Sequence, residues 1–561
     1  MEEAAIDVPE GFTLHSENSA HILLPNNNEA FLNPVQEFNR DLSVACIRTW
    51  SDIVQEEKKR KWEVTQERRA RKAQNGNKAK RPKTEGDVDM GSQTRASEGD
   101  IAPADEQKVN APNTPIPEYK PQKITILEAL SATGLRSIRY AKEIPFVKHV
   151  IANDLSPTAA DAMRRNVELN GLAEPDTSQK EQEKNIPAYV KVNEGDACAL
   201  MYNHRTEKDR VDVVDLDPYG SAAPFIDASI QCIKDGGAHF ISTNLCPSYP
   251  EIPAFLGLLC VTCTDLAVLA TTNYPEKCYS NYGGVPIKAE YCHEGALRLV
   301  LHTLSTAAAR YGRYIQPVLS LSIDFYSAYD QPLGKMTEHV SEPSGNVNYL
   351  FKTRAGPTIP ERCPECNSVL HVAGPMWSGP LHDKTFVSRT LQHLEANKDL
   401  YGTAPRMEGM LTVARDELEA PFYFTPSKVS GFFHCTCPPL DDVASALLNA
   451  GHNVSRSHAC AGSLKTDAKP IDIHDVFRSW IKTHPVRMDK IGEASPSRQL
   501  LAKEPRSEGN FTHHPKSVTA SSKVKLVRYQ HNPTPNWGPG TRAGSKPSGQ
   551  KRKRAQGEEE S

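Results

Sequence analysis

Between Lys123 and Ser221 four short apolar runs alternate with amphipathic stretches, and a carboxylate closes each run. KITILEAL, VKHVIANDLS, AYVKVNEGDACAL and VDVVDLDPYGS read as strands, and GGAHFISTNL as a further one. SATGLRS opens a helical segment after the first strand. SPTAADAMRRNVELNGL opens another, with Ser156 as N-cap and Pro157 at the first position. Strands alternating with helices require a parallel sheet with right-handed crossovers. The expected class is therefore α/β, a Rossmann-like domain, and no internal repeat competes with it.

In an open parallel sheet, ligands bind beyond the carboxyl ends of the strands. Four strand ends here carry acids, namely Glu128, Asp154, Asp196 and Asp217. Asp154 follows Glu128 by 26 residues, the distance at which an acid grips ribose hydroxyls in a βαβ unit. The first turn has a single glycine, Gly134, so no glycine-rich cradle for a pyrophosphate is present. A nucleoside ligand without phosphates, S-adenosylmethionine, fits better than a dinucleotide. Any one of these acids is as readily a helix cap, but four in order point to a ligand.

Asp217-Pro218-Tyr219-Gly220 is the sharpest feature. An exocyclic base amine is a poor nucleophile because its lone pair is delocalised into the ring. A carboxylate and a backbone carbonyl that accept its two N–H bonds can aim that lone pair at a methyl group. Asp217 and the Pro218 carbonyl supply such acceptors, and Tyr219 supplies a stacking face. The plainer reading is a strand followed by an Asp-Pro turn.

At 561 residues, with 42 prolines, the chain exceeds one domain. The expected organisation is an N-terminal tail (1–20), the start of the catalytic domain (21–54) and a disordered basic insertion (55–115). The main Rossmann-like domain (116–325), a smaller α+β C-terminal domain (326–488) and a disordered basic tail (489–561) follow. Within the C-terminal domain the stretch 385–485 reads as helical and then stranded, PFYFTPSKVSGFFHC included. Lys+Arg total 66 against 69 for Asp+Glu, so positive charge for a nucleic acid must be local. No apolar run approaches a membrane span, and the N-terminus is neither apolar nor Arg-rich. The 13 cysteines, with no secretion signal, suggest reduced thiols, with any clustered pair more suited to metal than to a disulfide.

NPVQEFNRDLSV (33–44), SATGLRS (131–137), DLDPYGS (215–221), CTDLAVLA (263–270) and YGGVPIKAEYCHEGALRLVLH (282–302) closely resemble, in order, the motifs of the tRNA (guanine-26-N2)-dimethyltransferase family. So do QPLGK (331–335), GPMWSGPLHD (374–383) and SRSHA…LKTDA (455–468). The resemblance covers most of the chain outside the polar segments. It implies a class I methyltransferase domain joined to a family-specific C-terminal domain. The implied activity is transfer of one or two methyl groups from S-adenosylmethionine to N2 of guanine 26 in tRNA. By the same resemblance Arg40 and Arg136 approach the cofactor, Asp154 holds its ribose, Asp196 and Ala197 lie near its adenine, and Asp217 is the catalytic acceptor.

One segment departs from the family. DFYSAYD (324–330) runs directly into QPLGK, where the family has further strands and a Cys-x-x-Cys pair. Only Cys363-Pro364-Glu365-Cys366 remains of what resembles a four-cysteine zinc site. His434, Cys435 and Cys437 are the substitutes at hand, against a β-hairpin edge beside two phenylalanines. RRARK (68–72), KAKRPK (78–83) and KRKR read as import signals, as tRNA-backbone contacts or as solvated charge. The reading adopted is a nuclear monomer that meets an import receptor, with a mitochondrial pool as a second location. Two other functions stay open: amino-methylation of another RNA or DNA base, and a tRNA-binding folding factor without catalysis.

Overall fold

The computed structural model describes residues 6–26, 32–78, 118–175, 187–234, 257–323, 326–335 and 361–524. A hairpin, β1 (Phe12–Glu17) and β2 (Ala20–Pro25), leads into α1 (Glu37–Lys78). Then come β3 (Ile124–Glu128), α2 (Leu135–Glu143), β4 (Val147–Asp154), α3 (Pro157–Leu169), β5 (Tyr189–Glu194), α4 (Ala197–Asn203), β6 (Val213–Leu216) and α5 (Ala223–Cys232). After β7 (Gly257–Cys263) follow α6 (Leu266–Leu269), α7 (Pro275–Tyr282), α8 (Cys292–Ala309), β8 (Arg313–Ile315), β9 (Leu319–Ile323) and β10 (Tyr326–Lys335).

These strands form one sheet in the order β5-β4-β3-β6-β7-β10-β8, with β9 also on β10. The first five are parallel, and β10 runs antiparallel to its neighbours. The sheet therefore has the doubly wound α/β form expected. The strand beside β6 is Gly257–Cys263, whose seven residues are all buried. GGAHFISTNL, expected in that role, lies outside the described residues. QPLGK forms the end of β10, paired with β7 and β8.

Each face of the sheet has its own core. On one, the hairpin, α1, α2 and α3 bury Ile22, Phe38, Ile47, Ile138 and Met163; on the other, α5 and α8 bury Ile230, Leu297 and Leu301. The C-terminal region adds α9 (Lys384–Ala396), α10 (Ala404–Asp416), α11 (Pro426–Phe433), α12 (Leu440–Asn449), β11 (Val454–Arg456), β12 (Leu464–Thr466), α13 (Pro470–Thr483), α14 (Pro496–Leu501) and α15 (Ala520–Lys523).

Several expected boundaries move. α9 and α10 place Phe386, Met407 and Met410 in the same core as α1, so residues from 384 to 416 complete the catalytic layer rather than a separate domain. A distinct third core begins at α11, with Phe433, Leu447, Phe477 and Leu500. PFYFTPSKVSGFF is helical from Pro426, because a proline with preset φ opens a helix there. The expected tail is ordered to Val524, and Leu500, Leu501 and Phe511 pack in the third core. The expected N-terminal tail holds β1, and α1 runs through residue 55 to Lys78, carrying RRARK in helical form. KAKRPK beyond Lys78 and KRKR lie outside the described residues. No helix among the described residues is long and apolar enough to cross a membrane.

Candidate active site

The first crossover turn sets the site. Ala132 (φ 48°) and Gly134 (φ 78°) adopt left-handed backbone, and the Gly134 N–H closes the turn on the Ser131 carbonyl at 2.8 Å. A Cβ on Gly134 would stand 3.2 Å from Met163 Cγ, so α3 also demands glycine there. Asp154 ties this turn to the second strand end: Oδ2 accepts the Ala132 N–H at 3.0 Å, and Oδ1 accepts that of Ser156 at 2.9 Å. Ser156 caps α3 as read from sequence. Asp196 caps α4 by accepting the Ala199 N–H at 2.7 Å, with Ala197 buried behind it.

The centre is a buried charge cluster. Asp215 on β6 and Asp217, the first residue past its end, are two apart and so project to the same side. Arg136, from the first turn of α2, reaches both: Nη2 donates to Asp217 Oδ2 at 2.5 Å and Nη1 to Asp215 Oδ2 at 3.3 Å. Ser43 Oγ of α1 accepts from the same guanidinium at 3.0 Å, and Tyr140 donates to Asp215 Oδ2 at 2.6 Å. Glu128 sits opposite Asp215 in the β3–β6 register and accepts the Ser137 hydroxyl. Burial and the adjacent Asp215 push its carboxyl up to about 8, so it is protonated at neutral pH.

Glu128 is only 2 % exposed. Its carboxyl stands between Ser137 and Asp215 at the end of β3, next to the turn that holds Gly134. Arg40 is likewise buried, and Glu17 of β1 accepts its Nε at 2.8 Å and its Nη2 at 2.5 Å. Ser43 lies beside Arg136 at the start of α2, and Arg48 donates to the Glu143 carbonyl at its end. α1 thus runs along α2, with Arg40 toward the strand-end side.

Beyond Asp217 the backbone turns through buried Pro218 to Tyr219, which is 83 % exposed, and Gly220 at φ 113°. The residues after β7 hold this loop. The Thr264 N–H donates to the Gly220 carbonyl at 2.9 Å. Tyr282, buried at the end of α7, donates to Asp265 at 2.9 Å and meets Ser221 Oγ at 2.8 Å. Burial raises the Asp265 carboxyl and the Tyr282 hydroxyl alike. The sequence reading quoted CTDLAVLA and YGGVPIK as motifs but gave Asp265, Tyr282, Ser43, Tyr140 and Asp215 no role. The D-x-D spacing in DLDPYG was the one local signal for Asp215.

Cys363 and Cys366 form a tight turn in which the Asn367 N–H donates to the Cys363 carbonyl at 2.8 Å and Cys366 Sγ meets Ser368 Oγ at 3.2 Å. Cys435 and Cys437 follow α11 in a loop, not at a hairpin edge. Among the described residues, no third cysteine or histidine brings a ligand atom into a group with this pair. Two ligands do not make a tetrahedral zinc site.

A doubly wound sheet of five parallel strands continued by an antiparallel strand is the fold of the class I S-adenosylmethionine-dependent methyltransferases. The solved complex of Trm1 from Pyrococcus horikoshii with S-adenosyl-L-methionine has this fold, with a TM-score of 0.56 over 84 % of this chain and 99 % of that one, at 22 % identity. The family model for N2,N2-dimethylguanosine tRNA methyltransferases matches residues 11–251 and 254–478. The tRNA (guanine(26)-N(2))-dimethyltransferase of Schizosaccharomyces pombe is 39 % identical over 95 % of this chain and 92 % of its own length. The mitochondrial tRNA (guanine(26)-N(2))-dimethyltransferase of Saccharomyces cerevisiae is 37 % identical over 95 % and 92 %. The chain belongs to the N2,N2-dimethylguanosine tRNA methyltransferase family.

Proposed function

We propose that this chain transfers methyl groups from S-adenosylmethionine to N2 of the guanine at position 26 of tRNA, adding one or two per guanine. The observation that carries the reading is the Asp217-Pro218-Tyr219 loop, braced from β7 and set beside Arg136 at the end of β6. Bound S-adenosylmethionine supplies an electrophilic methyl group on a sulfonium. The one-glycine turn suits a ligand without phosphates, and Gly134, Asp154, Asp196 and Ala197 line the strand ends that would hold it. Arg136, and Arg40 on release from Glu17, are the cations for its carboxylate end.

Asp217 accepts one N–H of the guanine amine and the Pro218 carbonyl the other, so that the nitrogen lone pair is aimed for in-line attack. Tyr219 stacks on the extruded base. As the nitrogen gains the methyl group, the proton it sheds passes to Asp217 and on to solvent.

The test is to incubate the purified chain with S-adenosylmethionine and unmodified tRNA, digest the RNA and weigh its nucleosides. Dimethylguanosine that disappears with Asp217→Ala, or with adenosine at position 26, supports the reading. A methylated adenosine moves the substrate to another base, and tRNA binding without methylation makes the chain a folding factor.

Finer proposals follow the sequence. RRARK, KAKRPK and KRKR are the segments an import receptor would read, so the nucleus is the proposed location, with the mitochondrion as a second. Imaging of the tagged chain with and without KRKR tests this. Zinc on Cys363 and Cys366 requires two further ligands, and metal analysis of the purified protein tests it. The working oligomeric state is a monomer, measurable by light scattering.

A further inference from the structure

GPMWSGPLHD, SRSHA…LKTDA and the start of α8 lie away from Asp217, yet they converge. His382, Glu417, His458 and Lys465 are buried together, with Glu294 and Arg298 of α8 behind them. His458 Nδ1 lies 2.6 Å from Glu417 Oε2, and His382 Nε2 lies 3.6 Å from the same oxygen. Lys465 Nζ bridges Glu417 at 2.9 Å and Glu294 at 3.2 Å, and Arg298 holds Glu294 at 2.7 Å.

Two histidines and a carboxylate with ligand atoms within 4.8 Å of one another resemble a metal centre. The hydrogen bonds argue otherwise. His458 Nε2 accepts the Ser322 N–H at 3.2 Å, and His382 Nδ1 accepts the Ser320 N–H at 3.4 Å. A neutral imidazole carries one proton. That proton must then sit on His458 Nδ1 and His382 Nε2, the nitrogens that face Glu417, which leaves no lone pair there for a metal. Metal-bound histidines instead donate through their second nitrogen. The Lys465 ammonium already neutralises the carboxylate.

The two amides explain the arrangement. β9 pairs with β10 along one side, and the N–H groups of Ser320 and Ser322, two residues apart, point to the other. No described strand pairs with that side. The Asp383 N–H donates to the Val318 carbonyl at 2.9 Å, so the chain around His382 runs along the same edge. The imidazoles stand where the acceptors of a further strand would be. An imidazolium has no acceptor left, so protonation of either ring breaks its bond to the edge and adds a buried charge beside Lys465.

We propose that His458, held by Glu417 and Lys465, and His382 beside it form a clasp on the outer edge of β9 that holds only while the His382 ring is neutral, and that acid opens it and releases β11–β12 and the third core from the sheet. The other charged groups around it are Glu294 and Arg298 of α8, with Lys384 and Glu419 lining the small cavity beside His382. His293 Nδ1 lies 3.5 Å from Ser322 Oγ. Burial pushes His382 down to about 4, so this ring is neutral in the closed state at physiological pH. Its contribution is complete above the ordinary histidine value of 6.5 and is lost as pH falls toward 4.

Hydrogen exchange of the full chain, corrected for intrinsic rates, tests the clasp through residues 318–323 and 454–466, with β3 and β6 as reference. Protection at β9 should fall about tenfold or more between pH 6.5 and 4.5 while β3 and β6 stay protected, since each proton taken up gives a factor of ten per pH unit. At pH 7.5 His458→Gln, which can both donate and accept, should keep most of the protection, and His458→Leu should lose it. Should His458→Leu fail to fold, the wild-type pH series and His382→Gln decide. Simultaneous loss of protection at β9 and β3, or protection indifferent to both substitutions, overturns the clasp. So does one equivalent of divalent metal that copurifies with the wild type and is lost in His458→Gln.

Discussion

Arg136 and Asp217 face each other across the ends of the first and fourth strands of the sheet, guanidinium nitrogen to carboxylate oxygen at 2.5 Å. The same guanidinium holds Asp215 and Ser43, so one side chain links α1, α2 and both acids of β6. The acid proposed to receive the guanine amine is therefore oriented from behind by a fixed cation.

Replacing that cation should affect both activity and stability. Arg136→Lys keeps the charge but cannot bridge three partners in one plane. Methyl transfer should fall about 10–100-fold, the scale of losing one positioned contact at a reacting centre. Arg136→Met should also unfold at lower denaturant, because it strands Asp215 in the interior at a cost of about 3–5 kcal/mol. Steady-state kinetics and urea titration check the two arms.

Asp217→Asn should preserve shape and lose the proton acceptor. A decrease in kcat of about 10²–10⁴ is expected, the usual range for general acid–base catalysis. Cofactor affinity, measured by calorimetry, should stay within about threefold. Equal loss of cofactor binding would move Asp217 out of the catalytic role.

Tyr219→Ala should act on the RNA instead. Stacking of a base on an aromatic ring is worth about 1–3 kcal/mol. Because the ring is exposed and the backbone beneath it is held by Thr264, the change should raise KM for tRNA and leave cofactor affinity and thermal stability unchanged.

Much of this arrangement was legible in the sequence, and the misses share a cause. Strand ends at Glu128 and Asp154, the end of β6 one residue before Asp217, and the cap at Ser156 depend on local pattern, and the pattern put them there. That Glu128 faces Asp215 depends on a register between strands 87 residues apart, which no local rule contains. Residues 55–78 have the Lys, Arg, Glu and Gln content of a solvated segment, but most of these residues are also strong helix formers. Pure composition cannot separate the two when one face is not apolar. The ordering of 489–524 rests on a few docking residues, Leu500 and Phe511 among them, whose partners lie in α11 and α13.

That last point is measurable. Leu500→Ala should cost about 2–5 kcal/mol, as for other buried leucines. Were the segment a free tail, the same change would leave the urea midpoint where it was.

Glu128 predicts a pH effect with a definite sign. Its folded value, about 8, lies above that of an unfolded glutamate, so the native state binds the extra proton. The stabilisation is complete below the unfolded value near 4.5 and is lost as pH rises through 8. Glu128→Gln should match the wild type in acid, gain on it steadily from pH 5 to about 8 in thermal melts, and keep a constant lead above that. A constant difference from pH 5 to about 8 would mean that Glu128 is ionised in the native protein.

Gln55 has a further consequence. Its side-chain amide donates to the Gln122 carbonyl at 2.5 Å and accepts the Gln122 N–H at 3.1 Å, just before β3 begins. The chain is thereby stitched shut at the foot of the sheet, the end remote from Asp217. The chain therefore leaves and rejoins the fold at one point, Gln55 and Gln122, opposite the end of the sheet where Asp217 stands.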